Sequence, residues 1–295
     1  MFKKLLIKIA LFFPLLYNGC WAEDPDCCSN GCRFELVPRC VPLFRPFAAD
    51  PRQVTFSVGW RFGDQLFNPH TAPVSYGNHF GVFRLNDPWG YRGALQLEIE
   101  GAIWALFEHT DHTAPLVNTD YYVGIPLVYS TGDWKFRLRW WHLSSHIGDE
   151  YLLEHPGFDR KNASAEYLDY FISYEPSWCL RLYAGFGAIL RSDSSFKCKS
   201  FYAEYGGEWR ISQWNTYFRQ SCLWGRPFVA AHFRTREDND YDFDGTLAFG
   251  YEWEKCGCWP KRIRLFGEYH NGFSVEGQFS RQYTDYVSLR ISYGY

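Results

Sequence analysis

The C-terminal segment alternates apolar and polar side chains up to the last residue. The apolar set is Val287, Leu289, Ile291, Tyr293 and Tyr295, and the polar set between them is Ser288, Arg290, Ser292 and Gly294. In a β-strand a period of two sends these sets to opposite faces. One face suits hydrocarbon and the other suits a polar interior. The segment predicts a strand of a transmembrane β-barrel, ending on the aromatic residue typical of chains inserted by the barrel-assembly machinery.

The same alternation recurs upstream and gives a count of strands. Clear copies lie near 54–62, 95–103, 134–141, 167–174 and 246–253, and weaker copies lie near 78–85, 119–129, 179–190, 200–210, 226–234 and 262–270. With the terminal segment the total is twelve, an even number as bacterial barrels require. The predicted fold class is an all-β, transmembrane antiparallel β-barrel of about 12 strands.

The links between these strands alternate in length. Short links are predicted near 86–92, 130–133, 175–178 and 254–261, and long polar links near 63–77, 107–118, 144–163, 234–244 and 271–282. Outer-membrane barrels have short periplasmic turns and longer outer loops, so the N-terminus is predicted to be periplasmic. The segment 211–222 is too long for a periplasmic turn and has no explanation in this topology.

The N-terminus has the composition of a secretory signal. Lys3 and Lys4 precede an apolar run of about 13 residues, which is too short for a spanning helix of roughly 20. Cleavage after Ala22 predicts a signal peptide over 1–22, a Cys-rich periplasmic segment over 23–50 and a transmembrane barrel over 51–295. Lipoprotein processing at Cys20 is the alternative.

Nine of the ten cysteines remain after cleavage at Ala22, and they are unevenly placed. They are Cys27, Cys28, Cys32, Cys40, Cys179, Cys198, Cys222, Cys256 and Cys258. In an exported chain this pattern predicts disulfides, and the odd number allows a cross-link to another envelope protein. A zinc site is the competing interpretation, although no two pairs have finger-like spacing.

Composition favours the membrane barrel over a soluble one. Aromatic residues make up 20% of the chain, with 13 Trp and 21 Tyr, as expected for girdles at two membrane interfaces. A soluble β-sandwich or lipocalin-like barrel is the alternative. The net charge of -3 selects no partner, and no basic patch suggests nucleic acid.

The predicted interior carries both signs of charge in similar number. Its members are Glu98, Glu100, Arg137, Arg139, Asp169, Arg181, Glu204, Glu208, Arg210, Arg264, Glu268 and Arg290. Buried charges persist when they are paired, so this lining predicts a barrel closed by internal ion pairs. A narrow polar channel is the alternative.

One stretch, from Arg139 to Glu150, predicts a site at the outer end of a strand. Parity puts His142 and Ser144 on the lipid face, and Glu166 at the start of the next strand shares that face. A hydroxyl, an imidazole and a carboxylate make a nucleophile, its base and the group that orients the base. At this height the predicted catalytic triad of Ser144, His142 and Glu166 would meet the ester bonds of outer-leaflet lipids.

Three segments resemble the domain-of-unknown-function family 1207. They are Ala49-Asp50-Pro51-Arg52, the run from Asn118 to Pro126, and the run from His142 to Leu152. The likeness covers the chain from about Leu43 onward, and it implies an outer-membrane-type barrel without implying an activity.

His142-Leu143-Ser144 resembles the local site of outer-membrane phospholipase A and of the lipid A deacylases. The resemblance implies a His-x-Ser pair on the outer wall of a barrel, with a third member on the next strand. That member is an asparagine in the phospholipase and a glutamate in the deacylases. Glu166 would take this place here, with Asn162 as the substitute. The acids Asp149 and Glu150 are the candidate ligands for calcium.

Three functions remain open at this point. The chain is predicted to be an outer-membrane barrel that hydrolyses ester bonds of phospholipid or lipid A, a structural envelope barrel cross-linked by disulfides, or a narrow porin-like channel. The partners expected are outer-membrane lipids, the barrel-assembly machinery, disulfide-linked envelope proteins and a second copy in a homodimer.

Overall fold

The computed structural model describes residues 33–38, 42–109, 113–211, 214–218, 223–255 and 261–294. The strands are β1 (Phe34–Leu36), β2 (Phe56–Phe62), β3 (His70–Asn86), β4 (Ala94–Glu108), β5 (Leu116–Thr131), β6 (Trp134–Ile147), β7 (Ala163–Ser177), β8 (Leu180–Ser192), β9 (Phe201–Arg210), β10 (Thr216–Phe218), β11 (Leu223–Arg236), β12 (Asp244–Lys255), β13 (Arg262–Phe273) and β14 (Tyr283–Gly294). One short α-helix, α1 (Asp149–Glu154), and 3-10 turns at Pro88–Gly90, Ser194–Phe196, Glu237–Asn239 and Gly277–Phe279 lie in the links. No helix within these ranges is long and apolar enough to cross a membrane.

The strands close into an antiparallel barrel. Successive strands pair along the chain from β2 to β14, with β9 pairing directly to β11, and β14 returns to β2 with Leu289 opposite Trp60. The short strands β1 and β10 pair with β3 and β11 outside this ring. The remaining twelve strands form the barrel, so the predicted fold class is confirmed.

The two faces of the barrel follow the predicted alternation. On β14, Leu289 is 54% exposed, whereas Arg290 beside it is 6% exposed and points inward. On β13, Leu265 is exposed outward and Glu268 is buried inside. Apolar side chains therefore cover the outer wall, and polar side chains line the interior.

Two link boundaries differ from the sequence prediction. The strand β3 begins at His70, so the first outer loop is 63–69 rather than 63–77, because residues from Thr71 pair with β4 up to Glu108. In the segment 211–222, β10 forms a small hairpin with β11, with Tyr217 opposite Trp224. Elsewhere the short links stay short: β5 and β6 are joined through Gly132 and Asp133, and Gly132 takes a φ of 52° that favours glycine.

The interior is filled by an N-terminal segment, residues 42–55, which we call the inner segment. Phe47 packs between the β7 and β8 walls, and Ala48 and Ala49 are completely buried. Its backbone N–H groups are bonded to the walls: Leu43 donates to Glu98 and Ala48 donates to Glu208, each at 3.0 Å. The last residues of the predicted periplasmic segment 23–50 thus lie inside the barrel, and the predicted domain boundaries stay a prediction.

The interior charges are paired, as the sequence predicted. Arg139 binds Asp169 at 2.6 Å and Glu100 at 3.1 Å, and Arg181 binds Glu208 at 3.1 Å. On the opposite wall, Arg290 binds Glu268 at 3.1 Å. These contacts join neighbouring or nearby strands on the inner wall and neutralise the interior charges, which supports the closed barrel over an open pore.

The outer mouth is covered by the loop 274–282, which folds inward. Phe279 packs against Tyr151 of α1 and Phe67 of the first outer loop. Glu276 accepts a hydrogen bond from Arg61 of β2 at 2.8 Å. Both ends of the lumen are therefore occupied by chain from the same molecule.

Several predictions fall on residues that the structure does not describe. The signal peptide 1–22 and Cys20, Cys27, Cys28, Cys32, Cys40, Cys222, Cys256 and Cys258 lie outside the described residues. Cys198, which the topology places in an outer loop, is a free cysteine. Cys179 is buried just before β8. The disulfide framework stays a prediction.

Candidate functional site

The predicted triad lies on the outward face at the outer ends of β6 and β7. In the register of these strands, His142 is directly opposite Glu166, and Ser144 is opposite Ser164. All four residues are half-buried. Opposite residues on one face of an antiparallel pair have Cβ atoms about 4.5–5.5 Å apart. The fold therefore brings the imidazole of His142 and the carboxylate of Glu166 side by side, as the alternation along the two strands predicted.

Ser144 is two residues along β6 from His142 and shares its face. A spacing of two in a strand separates the Cα atoms by roughly 6.6 Å, which is within the combined reach of a hydroxyl and an imidazole. Within the described residues, no side-chain hydrogen bond joins Ser144, His142 and Glu166. Catalytic hydrogen bonds are often long in a ligand-free site and tighten when substrate binds.

The inner face of the same two strand ends is held by the loop 274–282. Gln278 donates to the carbonyl oxygens of Ser145 and Lys161, each at 2.8 Å. Its backbone N–H donates to the Ser145 hydroxyl at 3.1 Å. Ser145, the residue after Ser144, therefore points into the barrel and is hydrogen-bonded there. Gln278 was missed from the sequence because no periodic pattern marks an inward-folded loop.

Asn162, the substitute for the third member, is engaged elsewhere. It is exposed just before β7, and its Nδ2 donates to Asp193 at 2.9 Å. Its backbone N–H donates to the Ser195 hydroxyl at 3.0 Å. Asn162 thus fastens the 193–200 loop to β7, and Glu166 is the carboxylate that faces His142.

Arg191 was also missed from the sequence. It lies on β8 directly opposite Glu166, is exposed, and continues the row that begins with His142. The outer wall therefore presents an imidazole, a carboxylate and a guanidinium on three successive strands. The register between β7 and β8 shifts between Glu166 and Tyr167. Alternation counted along β8 alone therefore assigns Arg191 to the wrong face of the barrel.

The candidate calcium ligands lie at the start of α1. Asp149 and Glu150 are exposed in its first turn. Carboxylates at a helix N-terminus are stabilised by the helix dipole, which gives these two residues a structural reason to be there. In the described part of the chain, no group of three or more His, Cys, Asp or Glu residues could hold a metal ion.

Comparison with known families identifies the chain. The family described as "Protein of unknown function (DUF1207)" matches residues 34–295. The chain belongs to this family. The resemblance noted in the sequence is confirmed, and the match spans every strand of the barrel. No curated protein matches the chain in sequence.

Solved structures with the same fold are bacterial outer-membrane proteins. Outer membrane phospholipase A from Escherichia coli matches with a TM-score of 0.52 at 8% identity, covering 83% of this chain and 93% of the phospholipase. The outer membrane phospholipase dimer of Salmonella typhi with bound calcium matches with a TM-score of 0.54 at 10% identity, covering 85% and 94%. LpxR from Salmonella typhimurium matches at 11% identity, covering 82% of this chain and 100% of LpxR, but its TM-score of 0.40 is below the level that indicates a shared fold.

At these identities the likeness shows the fold. The barrel is that of bacterial outer-membrane proteins, so the predicted localisation in the bacterial outer membrane is confirmed.

Proposed function

We propose that this outer-membrane barrel hydrolyses ester bonds of outer-leaflet phospholipid or lipid A. Ser144 is the nucleophile, His142 is its general base, and Glu166 orients His142. The observation that carries the proposal is the direct pairing of His142 with Glu166 across β6 and β7, with Ser144 on the same outward face. Polar side chains on a lipid-facing wall are costly unless they bind one another or act on something there.

The chemistry follows the order of a serine hydrolase. His142 accepts the proton of the Ser144 hydroxyl as Oγ attacks the ester carbonyl, and then gives it to the departing lipid alcohol. Water, deprotonated by His142, releases the fatty acid from Ser144. Glu166 stabilises the imidazolium and fixes the tautomer that places a lone pair toward Ser144.

The fold neighbours support the reaction class. Two of them are outer membrane phospholipases, and they share most of their length with this chain. The filled interior also supports a role on the outer wall, because the inner segment and the loop 274–282 leave the lumen occupied.

Calcium is a condition to vary when the ester hydrolysis is assayed. A calcium ion takes six to eight oxygen ligands, and Asp149 and Glu150 supply two adjacent carboxylates. Two carboxylates do not supply the six to eight oxygen ligands of a calcium site within one barrel. We therefore assign calcium no role in the reaction steps. The bound calcium of the Salmonella typhi phospholipase dimer is the reason to assay with and without it.

The test is fatty-acid release by the purified, detergent-solubilised protein from phospholipid and from lipid A, in calcium and in chelator. Ser144→Ala should lower release by at least roughly 10³-fold, as loss of a triad nucleophile does. Ser164→Ala is the matched control, because Ser164 is opposite Ser144 on the same face and lies outside the triad. Glu166→Gln should lower kcat more than it changes KM.

Two results would remove the hydrolase. One is no release by the wild-type protein under either metal condition. The other is equal loss of release in Ser144→Ala and Ser164→Ala, which would mark a structural effect of the strand ends.

A structural envelope barrel is the second candidate, and the internally paired lumen is the observation that favours it. A closed, ion-paired interior needs no substrate to explain it. Disulfide-linked partners would then appear as high-mass species on non-reducing gels and collapse with reductant, whereas a homodimer without disulfides would survive reductant in a cross-linking assay.

A further inference from the structure

A cavity lies inside the outer mouth, on the inner faces of β6, β7, β8 and β9. The space between its lining residues is about 710 Å³, a figure that includes solvent at the open mouth. Residues of the loop 274–282 and of the loop after β8 also line it. Most of its lining lies on the inner faces of these strands, opposite to the outward face that carries His142 and Glu166, and neither of these two residues lines it.

One wall of the cavity is a rigid aromatic surface. The rings of Trp141 and Tyr167 stack with centroids 3.6 Å apart and planes 2° apart, and Tyr202 meets Tyr167 edge-on at 6.2 Å. The indole N–H of Trp141 and the hydroxyl of Tyr202 both donate to Asp169, at 2.8 and 3.2 Å. These bonds fix the rings before any ligand arrives, which lowers the entropy cost of binding.

The guanidinium of Arg236 lies next to this aromatic wall. Arg236 is at the end of β11, lines the cavity and lies opposite Tyr202 in the sheet. Its neighbour on the same face, Arg234, is held by Asp244 at 2.6 Å. The guanidinium of Arg236 makes no ion pair or hydrogen bond with any residue in the ranges that the structure describes. A planar fork of N–H donors that faces a cavity matches a carboxylate or a phosphate.

The rest of the lining carries both donors and acceptors. Lys199, Glu204 and Asp238 lie around the same space. A pocket with an apolar wall and a few convergent polar groups of both kinds fits a small ligand with hydroxyl groups and one apolar face. A sugar ring has this character, since its C–H face packs on an aromatic ring and its hydroxyls both donate and accept.

We propose that this cavity binds a saccharide ring that carries an anionic substituent, phosphate or carboxylate. The ring packs on the surface formed by Trp141 and Tyr167, and the substituent binds Arg236. The ligand is either the headgroup of an outer-leaflet glycolipid that reaches over the rim or a free sugar acid or sugar phosphate. The proposal does not depend on ester hydrolysis at Ser144.

Saturation-transfer NMR on the full-length mature protein in deuterated detergent tests this proposal. The probes are glucosamine 1-phosphate, glucuronate, unmodified glucosamine and inorganic phosphate. Arg236→Met keeps the length of the side chain and removes its charge, Arg236→Lys restores a charge, and Tyr167→Leu removes one ring. Arg191→Met is the matched control, because Arg191 is an exposed arginine on the outer wall. Heat-dependent migration on gels confirms that each variant is folded.

The two anionic sugars should bind the wild type and the Arg191→Met control alike. Arg236→Met should weaken both by about tenfold or more, the loss expected for one charge-assisted contact. Arg236→Lys should recover part of this affinity. Tyr167→Leu should reduce the saturation transferred from the protein to the ring protons of the sugar. The proposal is overturned if neither anionic sugar binds the wild type, or if Arg236→Met binds them unchanged. Binding of inorganic phosphate as tight as that of glucosamine 1-phosphate would overturn the saccharide assignment.

A second arm separates the two sources of the ligand. The same titration is made on protein in vesicles with and without lipopolysaccharide. Loss of free-sugar binding when lipopolysaccharide is present supports the proposal and assigns the glycolipid headgroup. Unchanged free-sugar binding supports the proposal and assigns a free ligand.

Discussion

Replacing Phe47 with alanine tests whether the inner segment closes the barrel. Phe47 is 4% exposed and stacks on Tyr183 with ring centroids 3.8 Å apart. It also meets Phe171 at 5.3 Å and Phe44 at 5.7 Å. The guanidinium of Arg181 lies 5.0 Å from its ring. No other ring of the inner segment has as many aromatic partners among the described contacts.

The magnitude follows from these contacts. A buried Phe→Ala change costs about 3–5 kcal/mol, from lost burial and from the cavity left behind. Each aromatic pair adds about 0.5–1.5 kcal/mol beyond the buried area. We therefore expect Phe47→Ala to lower the free energy of unfolding by about 5 kcal/mol. The loss should lie in the upper half of the range because the surrounding walls are strands of a closed barrel and relax little.

Urea unfolding of the protein in lipid vesicles measures this loss, and planar-bilayer conductance measures closure. The wild type should be nearly silent, and Phe47→Ala should show openings because the inner segment loosens. Phe186→Ala is the matched control, since this ring is on the outward face of β8, 64% exposed, and should leave conductance unchanged. A loss under about 1 kcal/mol together with silent bilayers would refute the idea that the aromatic packing of Phe47 closes the lumen.

Three further perturbations probe the anchors of the interior. Burial raises the pKa of Glu276, but the guanidinium groups of Arg61 and Arg52 outweigh it and lower the pKa to about 2. A lowered pKa stabilises the fold above the ordinary value of 4.5 and loses this contribution as the pH falls toward 2. Urea midpoints measured from pH 7 to pH 3 should therefore fall for the wild type and fall less for Glu276→Gln. Glu252 binds Arg210 and Arg226 at 2.8 Å each, so Glu252→Gln should cost about 3–5 kcal/mol in urea unfolding, and a loss under about 1 kcal/mol would contradict the pairing. Gln278→Leu removes the bridge between β6 and the residues just before β7. It should lower kcat for ester hydrolysis with little change in KM, and an unchanged kcat would show that the bridge does not position Ser144.

The sequence was sufficient for the wall of the barrel because its information is local. A period of two assigns Leu289 outward and Arg290 inward without knowledge of any partner strand. The count of strands follows from the same pattern. The inner segment could not be found this way, since Phe47, Ala48 and Ala49 have no periodicity, and only the walls around them decide that they lie inside. The start of β3 was missed for a related reason: Pro73 interrupts the pattern, and pairing with Leu106 on β4 overrides it.

The site was predictable to the level of a face and a strand. Parity put His142, Ser144 and Glu166 on one side of two adjacent strands, and the register confirms that His142 and Glu166 are opposite each other. The catalytic roles stay a prediction. What the sequence could not give is the support behind the site, because Gln278 reaches Ser145 from a loop more than a hundred residues away. Long-range contacts of this kind depend on the whole barrel and leave no local pattern.

The filled interior limits where this barrel can act. A lumen whose arginines and carboxylates already bind one another has little free charge with which to select or conduct an ion. The inner segment and the loop 274–282 occupy its two ends. Chemistry on a ligand must then take place on the outer wall or in the outer mouth. The ends of β6 and β7 border both places: His142 and Glu166 face the lipid, and Trp141 and Tyr167 face the cavity. A function that uses this barrel is therefore expected to depend on these two strand ends more than on any other part of the lumen.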